Sequence, residues 1–103
     1  MDKRVLPRRI ITIKTLKDFI LDYSISEEKA ILLSQEDFDN IVLEYREFYG
    51  VPLEEEFYIT AVLIKEAPLG ELKQGQIGIV NKSDVYSLWQ LSIERINLPG
   101  LNN

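Results

Sequence analysis

The stretch KAILLSQEDFDNIVLEYREFYGVP, Lys29 to Pro52, decides the fold class, because it places a strand and a helix back to back. KAILLS is short, apolar and ends at Ser34, which is the reading of a buried strand. Ser34 then stands directly before QEDFDNIVLEYREFY, with Glu36 and Asp37 in the first turn and Asp37 at the third helical position. Acids there suit the exposed amides and the positive end of the helix dipole. Phe38, Ile41, Val42, Tyr45, Phe48 and Tyr49 fall on one stripe, which predicts a core-facing helix with its aromatic rings inside. Gly50 occupies the place of a left-handed cap, and Pro52 forbids continuation.

Downstream, FYITAVLIK is apolar on both faces and rich in β-branched and aromatic residues, which predicts a central strand covered on both sides. QIGIVNK predicts another strand. SDVYSLWQLSIERI carries two patterns. Val85, Leu88, Trp89, Ile93 and Ile96 fit a helix capped by Ser83 or Asp84, while Trp89, Leu91 and Ile93 alternate with polar residues as in a strand; the helical pattern is preferred. Upstream, RRIITIK predicts a strand. Thr15 with Asp18 three residues on predicts a helix start, followed by Leu16, Phe19, Ile20 and Tyr23 on one face. With no internal repeat and no low-complexity linker, the expectation is one α+β domain over residues 1–103. It would hold a small mixed sheet, two or three helices, a basic N-terminal arm (1–9) and a C-terminal tail (97–103).

Three of the five glycines lie in LGELKQGQIGIV, Leu69 to Val80. A phosphate loop requires G-x-x-x-x-G-K-[ST], but Gln76 and Ile77 follow Gly75 where the lysine and hydroxyl residue belong. The dinucleotide pattern is absent too, and no helix follows to face a phosphate. The stretch is therefore predicted to be a hairpin connection between two strands, with Gly78 permitting close packing or a bulge.

Composition narrows the chemistry. The chain has no His and no Cys, so the usual ligands for zinc, copper and haem are missing, as are Cys-His and Ser-His nucleophile pairs. Six serines remain without an evident base. The acids Glu36, Asp37 and Asp39, with Glu54, Glu55 and Glu56, are candidates for a hard cation. DFDN nevertheless lacks the glycine and distal glutamate of a calcium loop. A solvated face with helix N-terminal acids is the better account. No catalytic, cofactor-binding or metal-binding residue is assigned, no cofactor is expected, and the protein is expected not to be an enzyme. The longest apolar run, ITAVLI, is of strand length, and no segment reads as a signal peptide or membrane span. The absence of cysteine is compatible with a reducing compartment.

Charge points to partners. The net charge is −5, but residues 1–17 sum to +5, residues 18–56 to −10, and the remainder to zero. The basic arm lacks interleaved aromatics, so nucleic acid is an unlikely partner. The expected partners are other protein subunits, in a homo- or hetero-oligomer. The contacts would be made by Lys3, Arg4, Arg8 and Arg9 on the arm and by Glu54, Glu55 and Glu56 on the acidic zone. A head-to-tail contact, with one copy's arm on the next copy's acidic face, fits this segregation.

The order strand, acid-capped helix, Gly-Val-Pro turn and two strands, in ILLSQEDFDNIVLEYREFYGVP, FYITAVLIKEA and GQIGIV, resembles small tailed-phage virion-associated proteins. The resemblance implies a structural or accessory role in a large assembly, with location in a virion or the cytoplasm. The expected function is a non-enzymatic interaction subunit. The alternative is a soluble acidic inhibitor, an immunity or anti-defence protein, whose Glu27, Glu28, Glu36, Asp37, Asp39 and Glu54 to Glu56 occupy a basic nuclease site.

Overall fold

A computed structural model describes residues 11–53, 56–85 and 93–97. They form an α+β domain in the order α1 (Ile13–Asp22), β1 (Lys29–Leu33), α2 (Gln35–Tyr49), β2 (Phe57–Ile59), β3 (Val62–Glu66), β4 (Gln76–Asn81), a single 3-10 turn (Lys82–Asp84) and β5 (Glu94–Asn97). The five strands make one mixed sheet in the order β2-β3-β1-β4-β5.

β1 is the axis of this sheet. It pairs in parallel with β3, placing Ile31 beside Ile64, and antiparallel with β4, placing Ile31 beside Ile79. Ala30, Ile31, Leu32 and Leu33 are all fully buried, as expected for a strand covered on both faces. Alternate positions of each strand share one face, where Ile31, Leu33, Val62, Ile64, Ile77 and Ile79 pack against Ile11, Leu16, Phe19, Ile20 and Ile41 from the helical layer. The intervening positions share the other, where Ala30, Leu32, Leu63 and Val80 meet Ala67, Leu72, Val85 and Ile93.

Helix α2 forms as the sequence predicts. Ser34 Oγ accepts from the Asp37 amide, and Gly50 closes the helix in the left-handed region at φ 76°. The start of α1 differs from expectation. The cap is Thr12 rather than Thr15, and Thr15 is the third helical residue that closes a reciprocal box with it. Thr12 Oγ1 accepts from the Thr15 amide at 3.1 Å, and Thr15 Oγ1 accepts from the Thr12 amide at 2.7 Å. The Ile13 amide donates to Glu44 Oε1 on α2 at 3.0 Å, so a carboxylate stands at the positive end of α1. These bonds draw Ile13 and Lys14 into the helix and out of the strand expected over Arg8–Lys14. Arg8, Arg9 and Ile10 lie outside the described residues.

FYITAVLIK is two strands, not one. β2 and β3 form a hairpin around Thr60 and Ala61, which both adopt positive φ (50° and 68°), the φ signs of a type I′ turn. Neither residue is the glycine or asparagine that signals such a turn, so the reversal is hidden in an apolar run. The fold tolerates the strain because Ile59 and Val62 are buried on the helical face on either side of it.

The glycine-rich stretch is likewise not a hairpin. β3 and β4 never pair, since β1 lies between them, and residues 67–75 carry the chain across the end of β1. Ala67 N donates to Leu33 O at 2.8 Å, extending the parallel ladder by one bond before the crossing. The close packing expected at Gly78 is present: a Cβ there would stand 2.7 Å from Ile93 Cγ2 and 3.3 Å from Leu72 Cδ1. Glu94–Asn97 pairs with β4 as a strand, against the helix preferred for SDVYSLWQLSIERI. The Ile77–Ile96 pairing holds Ile96 against the helical-face core, which a helix starting at Ser83 would not do. Residues 86–92, including Leu88, Trp89 and Leu91, lie outside the described residues, as do the arm (1–9) and all of the tail beyond Asn97.

Replacing Thr60 by Asn and Ala61 by Gly should raise stability by about 1 kcal/mol, since both new residues accept positive φ. Urea unfolding measures it, and an unchanged or lower midpoint would contradict the strained turn. Gly78→Ala should lower stability by about 1–3 kcal/mol through overpacking against Ile93. A neutral result in the same assay would contradict the close approach.

Candidate interaction surface

α2 is longer than the strand it covers. Fifteen helical residues span about 22 Å, whereas the five residues of β1 span about 16 Å. The apolar stripe therefore runs off the sheet. Ile41 is buried and Phe38, Val42 and Tyr45 are half-buried, but Phe48 is 77% exposed and Tyr49 57% exposed. The expectation that Tyr45, Phe48 and Tyr49 are all core holds only in part for Tyr45 and fails for the other two.

The overhanging rings organise one another. Tyr45 and Tyr49 lie 4.5 Å apart between centroids, and Phe48 meets Tyr49 edge-on at 4.9 Å. Tyr45 also meets Phe57 of β2 edge-on at 5.5 Å, which carries the cluster from the helix onto the sheet edge. Tyr58 points to the opposite face of the sheet, opposite Leu63 in the ladder, and remains 40% exposed. Lys82 Nζ lies 5.1 Å above its ring, and its hydroxyl donates to Glu56 Oε1 at 3.3 Å. Tyr45, Tyr49, Glu56, Phe57 and Tyr58 line a shallow groove at this edge. Such edge-to-face rings have fixed geometry and a large apolar area, so they cost little ordering entropy when a partner covers them.

Glu56 is thus the one predicted contact residue that the described structure places, and it sits in this groove. Lys3, Arg4, Arg8, Arg9, Glu54 and Glu55 lie outside the described residues. The rings were missed because helical periodicity says which residues share a face, but not how far that face reaches. The available signal was the stripe itself, which outlasts the five-residue strand KAILL.

The acids read as one cluster do not behave as one. Asp37 is buried, and its Oδ2 accepts from the Gly75 amide at 2.7 Å, clasping the start of α2 to the connection before β4. Burial pushes its carboxyl above the ordinary aspartate range, opposed by the Gly75 and Ser34 hydrogen bonds. Gly75 holds φ 91°, which aims its amide at that carboxylate rather than at solvent. A phosphate would meet this negative group at the loop. Glu36 and Asp39 are exposed at the start of α2, the opposite end from Glu56. Among the described residues no group of three or more acids is arranged to hold a metal ion, and no helix is long and apolar enough to cross a membrane.

No protein-family model, curated protein or solved structure matches this chain.

Asp37→Ala should lower stability by about 1–3 kcal/mol by leaving the buried Gly75 amide unpaired. The pH dependence has a definite sign. The folded state holds the Asp37 proton more tightly than the unfolded chain does. The group's contribution is therefore full in acid and is lost as pH rises from about 4 through the raised value. Thermal unfolding of wild type should accordingly improve relative to Asp37→Asn as pH falls from 7 to 4. The opposite trend would contradict a buried, destabilised carboxylate.

Proposed function

We propose that the protein is a non-enzymatic interaction subunit of a larger protein assembly, which contacts a neighbouring protein through the aromatic surface at the end of α2. One observation carries this reading: Phe48 and Tyr49 stand open to solvent at the end of α2, 77% and 57% exposed, edge-on to each other and continuous through Tyr45 with Phe57 of β2. Exposed apolar surface of this concentration marks a binding surface, and aromatic anchors dominate the energies of such contacts. The resemblance to tailed-phage virion-associated proteins supports placing this assembly in a virion.

The inhibitor alternative has weaker support. Asp37 is committed to Gly75, and Glu36 and Asp39 lie in the first turns of α2, whereas Glu56 lies beside Tyr45 and Tyr49 further along it. A single acidic face imitating phosphate charge would have to bridge that gap.

A photo-crosslinking amino acid at position 48, introduced in cells that make the protein with its natural neighbours, should yield a protein adduct, whereas one at exposed Lys17 should not. Absence of an adduct at position 48 would contradict the reading. Substituting Phe48→Ser with Tyr49→Ser should weaken binding to the captured partner more than tenfold, about 1.4 kcal/mol or more. Glu54→Gln, Glu55→Gln and Glu56→Gln together should weaken it less than the ring substitutions do. A large, salt-dependent loss on the triple change, toward a basic nuclease, would favour the inhibitor.

A further inference from the structure

We propose that the occupant of the aromatic surface is the basic arm, residues 1–9, of a second copy of this chain. The proposal rests on the interaction reading above and names its partner. Three observations carry it.

The first is charge. The described residues between 44 and 56 include Glu44, Glu47 and Glu56 against the single cation Arg46. The C-terminal end of α2, closed at Gly50, adds the negative end of the helix dipole beside the rings. The arm MDKRVLPRR carries Lys3, Arg4, Arg8 and Arg9 against Asp2, with Val5, Leu6 and Pro7 between the two basic pairs. Arginine and lysine bind aromatic faces, and the apolar middle suits the ring edges. Lys82 over Tyr58 shows the same kind of pairing within the chain.

The second is attachment. The arm joins the fold at buried Ile11, and the Ile13 amide is bonded to Glu44, one residue before Tyr45. Its root is therefore tied to α2 by that one bond. Nine extended residues reach about 30 Å, enough to cross to a neighbouring copy.

The third is openness. Phe48 and Tyr49 are more than half exposed in the single chain, so the surface offers itself to a second molecule. An arm on one side of the contact and rings on the other make it heterologous, and repetition adds copies head to tail.

The test uses full-length chains in sedimentation over a dilution series. One variant neutralises the arm (Lys3→Gln, Arg4→Gln, Arg8→Gln, Arg9→Gln); the other opens the surface (Phe48→Ser, Tyr49→Ser). Wild type should grow in mass with concentration beyond two chains and shrink when salt is added. Each variant alone should remain a single chain. Their equimolar mixture should stop at two chains, because only one productive contact remains per pair. A synthetic peptide of residues 1–10 should dissolve the wild-type assembly, a readout that needs no variant. Wild type that stays a single chain at every concentration overturns the proposal. So does an arm variant that still pairs, which would mean ring-to-ring contact, or a mixture that fails to pair. Wild type that stays single while position 48 crosslinks to a different protein rejects the second copy and leaves the interaction reading standing. No adduct at position 48 from any protein rejects that reading itself.

Discussion

The two-sided burial of β1 is the constraint on which the rest of the structure depends. A strand with both faces and both edges covered needs a partner on each side and a layer above and below. β3 and β4 supply the edges, the helices cover one face, and the connection before β4 with Val85 and Ile93 covers the other. The long crossing over residues 67–75 follows from this. Once β3 has taken one side of β1, β4 can reach the other only by passing its end. Asp37 then ties that crossing to α2, joining the two layers through a buried hydrogen bond.

The same constraint explains the aromatic surface. Strand length sets how much helix the sheet can cover, and α2 continues past that limit before Gly50 stops it. Ile41 in the covered turns is buried, while the final turn carries Phe48 and Tyr49 more than half exposed at the sheet edge. Rings edge-on to one another at 4.9 Å and 5.5 Å form a shaped surface rather than loose apolar excess.

Much of the fold was legible in the sequence. Ser34, the apolar stripe and Gly50 located α2 with its caps, and KAILL and QIGIVN located β1 and β4, because local hydrogen bonding and periodicity decide those elements. Tertiary context decided the rest. Thr60 and Ala61 turn a continuous apolar run into a hairpin with no turn residue to announce it. Thr12 outcompetes Thr15 as a cap, with Glu44, thirty-one positions away, holding the next amide in place. Strand order is invisible to periodicity, so the crossing beneath β1 read as a simple hairpin. Of the candidate site, Glu56 lies in the groove that Tyr45 and Tyr49 line, but the rings beside it read as core from the sequence. Their exposure depends on the relative lengths of two elements packed together, a property that neither element shows alone.

The most direct test of the account is the ring signals of Phe48 and Tyr49, followed by NMR against Phe19 as the protein is concentrated. Phe19 is 4% exposed on the helical face of the sheet, whereas Phe48 is 77% exposed. The expected result is a concentration-dependent shift at Phe48 and Tyr49, with Phe19 unchanged. Shifts that spread equally to Phe19, or none at Phe48 at any concentration, would contradict a self-recognising aromatic surface at the end of α2.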